Sequence, residues 1–175
     1  AAHQVAFNGE SLSYMPGFGF AVAASTLVGQ SLGAKKPDRA RKSGYLTYKM
    51  AAALMTFMGV IFIFFAGDII AVFTNDPQVI ATGTMPLRLV GITQPLLAAM
   101  MVFSSGLRGA GDTRPPMLIN GISPWVVRLP LAYLLAIQLG WGLNGAWVAM
   151  MVDMSLRGIL NYFRFRSGKW AFVEV

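Results

Sequence analysis

Residues 11–42 read SLSYMPGFGFAVAASTLVGQSLGA followed at once by KKPDRARK. Twenty-four residues without a charge run into a segment holding five bases and one acid. At about 1.5 Å per residue the uncharged run reaches across the ~30 Å hydrocarbon core of a bilayer, and the basic turn marks its end. The same alternation governs the rest of the chain.

Met50 to Gly67 is uncharged for 18 residues and Leu89 to Leu107 for 19. Pro115 to Val127 is uncharged, Arg128 interrupts, and Leu129 to Val152 is uncharged again. Gly140-Trp141-Gly142 breaks that last stretch, which is too long for one span. The reading is an all-α membrane protein with five spans, near 2–32, 44–67, 83–107, 115–138 and 142–163. Composition agrees: 55% of the 175 residues are hydrophobic and 12% charged, against about 25% charged in soluble domains. The lipid bilayer is the expected partner.

Twelve of the fourteen bases mark one side if the spans alternate. Lys35, Lys36, Arg39, Arg41, Lys42 and Lys49 surround the first connection. Arg108 and Arg114 flank the third. Arg157, Arg164, Arg166 and Lys169 belong to the chain's end. The second and fourth connections carry no base. Short cytoplasmic loops hold the Lys/Arg excess. The expected location is the cytoplasmic (inner) membrane, with residue 1 outside, the C-terminus cytoplasmic, and 164–175 as a cytoplasmic tail. The net charge of +7 is therefore loop punctuation, not the solvated basic face that nucleic acid would need. An odd count of spans in a chain beginning at Ala1 points to part of a longer protein.

Enzyme and metal chemistry find little support. There is no cysteine, His3 is the single histidine, and no metal-ligand, nucleophile-elbow or phosphate-loop spacing occurs. His3 reads as a polar residue at a helix start.

Proline and glycine interrupt three spans: Pro16-Gly17-Phe18-Gly19 in the first, Pro95 in the third, Pro124 and Pro130 in the fourth. Kinks are expected at each. Trp141, Trp147 and Trp170 fall where interfacial aromatics are expected. Charges at membrane depth are costly, so they are usually paired or functional. Arg128 and Asp153 lie at similar counts into antiparallel spans, which predicts an intramembrane ion pair, structural or opened during transport. Glu10 is expected to pair with Arg88 or to face a water-filled cavity and draw in a cation. Met15, Phe18, Met100, Met101 and Phe103 read either as an adaptable cavity lining or as packing.

Three strings then stand out together: Ala1 to Ala6 with Val28-Gly29-Gln30-Ser31-Leu32-Gly33-Ala34; Leu107-Arg108-Gly109-Ala110-Gly111-Asp112-Thr113-Arg114-Pro115; and Val127 to Tyr133. In this order and spacing they resemble the multidrug and toxin extrusion (MATE) family, and the resemblance covers essentially the whole chain. It implies helices eight to twelve of twelve, most of one six-helix lobe of a two-lobed transporter, with the N-terminal lobe as the missing partner. It implies secondary active efflux of organic, often cationic, compounds in antiport with Na⁺ or H⁺ by alternating access, and no cofactor. Some family members carry an essential acid on helix ten; here Gln94 and Pro95 occupy that region, so the coupling-ion site is expected in the N-terminal lobe. Substrate contacts are expected at Glu10, Met15, Phe18 and Gln94. Gly29, Gln30, Gly33, Arg108, Gly109, Gly111, Asp112 and Thr113 are expected to shape a cytoplasmic gate and its loops. The rival readings are a lipid-linked saccharide flippase of related architecture and a non-transporting membrane scaffold.

Overall fold

The structure, a computed structural model, describes residues 2–172, with the backbone alone at 2, 3, 5, 6 and 12. It contains α1 (Ala2–Gly33), α2 (Pro37–Phe73) and α3 (Pro77–Gly109). A fourth, composite span follows: α4 (Arg114–Ser123), a π-helical stretch Pro124–Arg128, α5 (Leu129–Ala132) and a second π-helical stretch Tyr133–Gln138. The chain ends with α6 (Gly142–Arg166) and a 3₁₀ turn, Lys169–Phe172.

Sequence chemistry sets the boundaries. Pro37 and Pro77 open α2 and α3, where a missing N–H costs nothing. The Asp76 side chain accepts from the Gln78 N–H at 2.9 Å, an N-cap for α3. The helices overrun the hydrophobic spans at both ends. The short apolar stretch Ile69–Phe73 is simply the last turn of α2. Among the described residues four helical stretches are long and apolar enough to cross a membrane: Phe7–Gly33, Pro37–Phe73, Pro77–Gly109 and Arg114–Gln138. α6, expected as the fifth pass, is not among these; Asp153 and Arg157 lie in its middle.

α3 is the axis of the bundle, packed against α1, α2 and α6. Glycines let the backbones meet. A Cβ on Gly91 of α3 would stand 2.6 Å from the Gly59 carbonyl oxygen of α2. One on Gly29 of α1 would stand 2.8 Å from the Gly109 carbonyl oxygen of α3. Gly158 brings α6 onto the backbone of α3 at Leu96. Between lipid-like surfaces, close van der Waals packing at small residues is what holds helices together. The composite span touches chiefly α6.

Of the three spans with internal prolines, only the fourth leaves the α-helical pattern. α1 and α3 stay α-helical through Pro16, Pro86 and Pro95. The fourth span does yield. Pro130 lacks the N–H that an α-helix would need, and the backbone loosens so that Leu129 N donates to the Pro124 carbonyl five residues back. α2 adds a kink at Phe65 (φ −111°, ψ 21°) that no proline announced.

The basic end is knit together. The Phe165 and Trp170 rings stack at 4.7 Å, and Trp170 Nε1 donates to the Phe165 carbonyl at 2.6 Å. Residues 164–172 are therefore folded back onto the bundle, not a free tail; 173–175 lie outside the described residues. Trp147 is also buried in the core, leaving Trp141 exposed.

Candidate functional site

α1, α3, α4 and α6 all contribute residues to one cavity wall. The result is an open cavity of about 560 Å³. Tyr14, Phe18 and Val22 come from α1, Met100 and Met101 from α3, Asn120 from α4 and Arg157 from α6. Serines and a threonine supply neutral hydrogen-bonding groups, and Arg108 stands at one end. The wall is apolar and aromatic with flexible methionines, a surface that re-packs around different shapes. No carboxylate lines it among the described residues.

Of the four expected substrate contacts, only Phe18 lines this cavity. Met15 is exposed on another face of α1. Glu10 and Gln94 are buried behind the wall, not in it. Phe103 is buried too, in an aromatic cluster with Tyr45, Tyr162 and Phe165. Met100 and Met101 do line the cavity.

The expected Arg128–Asp153 pair does not form. Asp153 is fully buried and bound to Arg157, whose Nη2 donates to Oδ2 at 2.5 Å, and to the Ser123 hydroxyl. Arg128 Nη2 instead lies 3.1 Å from Met150 Sδ. The contacts 123–153 and 128–150 fix the antiparallel register. In that register Asp153 lies about one helical turn nearer the basic end than Arg128 does. Arg157, i+4 from Asp153, reaches it on the same helix. Arg157 is thus a counter-ion inside α6, not a base at the chain's end. Arg88 is exposed and makes no ion pair with Glu10 among the described residues. The His3 side chain lies outside the described residues.

The loop motif comes together at the basic end. Gly29 meets Gly109, and Gly109 rests on the Ser25 backbone. Gly111 takes φ 84°, which suits glycine alone among common residues. Asp112 is buried and accepts two bonds from Arg164, at 2.7 Å from Nε and 3.0 Å from Nη2. That bidentate bond raises the Arg164 guanidinium's proton affinity further above its ordinary high value. Arg108 donates to Ser105 Oγ at 2.9 Å. Gln30 and Gly33 are exposed, and Thr113 caps nothing with its side chain.

Sequence reasoning missed the Asp153–Arg157–Ser123 network, although the i, i+4 spacing of acid and base on one span was there to find it.

The MatE family model matches residues 1–134. The probable multidrug resistance protein NorM of Thermotoga maritima is 37% identical over 170 residues, covering 97% of this chain and 37% of that relative. The uncharacterized transporter YisQ of Bacillus subtilis is 38% identical over 159 residues, covering 87% of this chain and 34% of YisQ. The crystal structure of the eukaryotic MATE transporter AtDTX14 superposes with a TM-score of 0.88 at 22% identity, over 97% of this chain and 38% of that one. The chain thus spans less than two-fifths of the length of these relatives.

Proposed function

This chain belongs to the MatE family, a family of multi-pass membrane transporters, and on that premise we propose that it forms most of one lobe of a two-lobed multidrug exporter. The exporter moves organic, often cationic, compounds outward in antiport with Na⁺ or H⁺, by exposing a central cavity alternately to each side. It sits in the inner membrane, with the basic end cytoplasmic.

The observation that carries this reading is the 560 Å³ cavity walled by Tyr14, Phe18, Met100 and Met101. It is open, apolar and adaptable, as the wall of a polyspecific site needs to be. A second lobe would close it. Since no carboxylate lines this wall, the positive charge of a cationic compound has to be met from the other lobe. The loop motif, Gly29, Gln30, Gly33, Arg108, Gly109, Gly111 and Asp112, then shapes the cytoplasmic gate.

Arg108 and Arg157 on the cavity favour one second reading, a phosphate-bearing substrate such as a lipid-linked saccharide. One experiment separates the two. The complete protein is reconstituted, and efflux of ethidium is followed with the Na⁺ and pH gradients collapsed separately. The exporter reading expects efflux that stops with one gradient. Gradient-independent translocation of a pyrophosphate-linked lipid, with no ethidium efflux, would replace it with the flippase reading.

A further inference from the structure

The basic end of α2 carries a groove that the proposed function leaves unused. Arg41, Lys42, Tyr45, Leu46 and Lys49 line it, around a volume of about 320 Å³. Arg41, Tyr45 and Lys49 follow one another at i, i+4 spacing on one helix face, with Lys42 and Leu46 beside them. None of the three bases makes an ion pair among the described residues. Asp38, the one acid of the basic segment, is exposed a turn away, and Asp112 is taken by Arg164. Lys35, Lys36, Arg39, Arg166 and Lys169 add exposed like charge at the same end. Arg41 Nη2 donates to the Arg166 carbonyl at 3.5 Å, which ties the groove to the end of α6. Gathered bases without an acid repel one another, and an anion among them lowers that energy.

An apolar crevice continues from the charges. Tyr45 is half-buried, and its ring stands 6.4 Å from that of Tyr162 on α6. Tyr48 and Tyr162 open the crevice, about 260 Å³ there, and Leu96, Gly158 and Ile159 extend it between α3 and α6. Ile159 also lines the next stretch, about 370 Å³, with Ile92, Val152 and Leu156. On both helices these residues run steadily away from the basic end. Tyr162 lies ten residues beyond Val152 on α6, about 15 Å, which is the depth of one leaflet's share of a ~30 Å hydrocarbon core. Ile92, Val152 and Ile159 are exposed, so the crevice opens sideways. Neither groove nor crevice shares a residue with the 560 Å³ cavity.

We propose that this surface holds one anionic phospholipid of the surrounding bilayer, its phosphate among Arg41, Lys42 and Lys49 and one acyl chain in the α3–α6 crevice. Guanidinium and ammonium groups make charge-assisted hydrogen bonds to phosphate oxygens. Tyrosines suit the depth at which headgroup meets hydrocarbon. Basic pockets beside membrane helices take anionic headgroups in this way. A soluble anion uses the bases and leaves the crevice empty. A zwitterionic lipid fills the crevice but brings a further positive charge to the bases. An anionic lipid satisfies both parts. Bound there, it bridges α2, α3 and α6 on a face away from the transport cavity, so the inference does not rest on the exporter reading.

Native mass spectrometry of the complete protein in detergent, titrated with phosphatidylglycerol or phosphatidylcholine, tests it. The first phosphatidylglycerol should bind at least about tenfold more tightly than phosphatidylcholine, and the triple variant Arg41→Gln, Lys42→Gln, Lys49→Gln should remove that preference. The variant Lys35→Gln, Lys36→Gln, Arg39→Gln takes the same charge from bases outside the groove and should keep the preference within about twofold. Equal weakening by both triple variants overturns the proposal, because only the overall charge of the basic end is then read. Ile159→Trp fills the crevice without touching a charge and should weaken the first binding at least about threefold; unchanged affinity overturns the proposal. Inorganic phosphate at constant ionic strength should not displace the lipid, and displacement makes the ligand a soluble anion instead. Should the groove variant fail to fold, Lys42→Gln with Lys49→Gln replaces it and spares the Arg41 bond to Arg166; an undiminished preference there overturns the proposal.

Discussion

α3 and the composite fourth span each carry two internal prolines, yet only the fourth span leaves the α-helical pattern. α3 holds a continuous α-helix through Pro86 and Pro95; the fourth span passes into π-helix around Pro124 and Pro130. Of the apolar window in α3, 61% is buried within the bundle, against 6% for Arg114–Gln138. Spacing adds to the contrast, because Pro124 and Pro130 fall within two turns of each other. The difference teaches that a proline weakens a helix but does not by itself end its α-helical pattern. Three packed neighbours support α3 as a continuous α-helix, while the fourth span has chiefly α6 to lean on. The first is the axle of the bundle, and the second is the least covered of the candidate spans.

The largest expected effect breaks the axle. Gly109→Leu drives a side chain into the Ser25 backbone, so a loss of about 3 kcal/mol is expected. Gel filtration of the complete protein should show little folded material. Next comes the strap at the basic end. Asp112→Ala removes a bidentate partner of Arg164, and because the Arg164 side chain is 27% exposed the loss is moderated to about 2 kcal/mol. It should appear as a lower unfolding temperature before any change in drug selectivity. Altered selectivity at unchanged turnover and stability would put Asp112 in the substrate path instead. Pro95→Ala in α3 should change stability by under about 1 kcal/mol, since packing already fixes the helix. A Cβ added at Gly121 in the fourth span meets nothing within 4 Å, so Gly121→Leu should be neutral within about 0.5 kcal/mol. A destabilised Gly121→Leu would mean that this face is packed more tightly than the contrast allows.

The apolar helices were legible because charge against apolar run is a one-dimensional signal. Which face of a span is buried was not. In a membrane, lipid and protein interior are both apolar, so a helix such as α1 shows no amphipathic stripe to read. That is why Glu10 and Gln94 were placed on the cavity with Phe18, although only Phe18 is there. Depth counted from helix starts misassigned Asp153 for a related reason: the relative register of two helices is set by tertiary contacts such as Ser123–Asp153. The prolines were visible, but whether each one bends its helix depends on neighbours that the local sequence does not name. Of the MATE-like strings, Gly29, Gly109 and Asp112 serve contacts fixed by the fold.

The contrast between axle and π-helical span is tested most directly by pulsed electron–electron distances. This chain contains no cysteine, so spin labels are introduced at exposed pairs, 118 with 137 on the fourth span and 78 with 108 on α3. A π-helix packs more residues into each turn and so rises less per residue than an α-helix. Replacing Pro124 and Pro130 with alanine should therefore lengthen the 118–137 distance, while replacing Pro86 and Pro95 leaves 78–108 unchanged. An unchanged 118–137 distance, or a comparable shift in α3, would contradict the account.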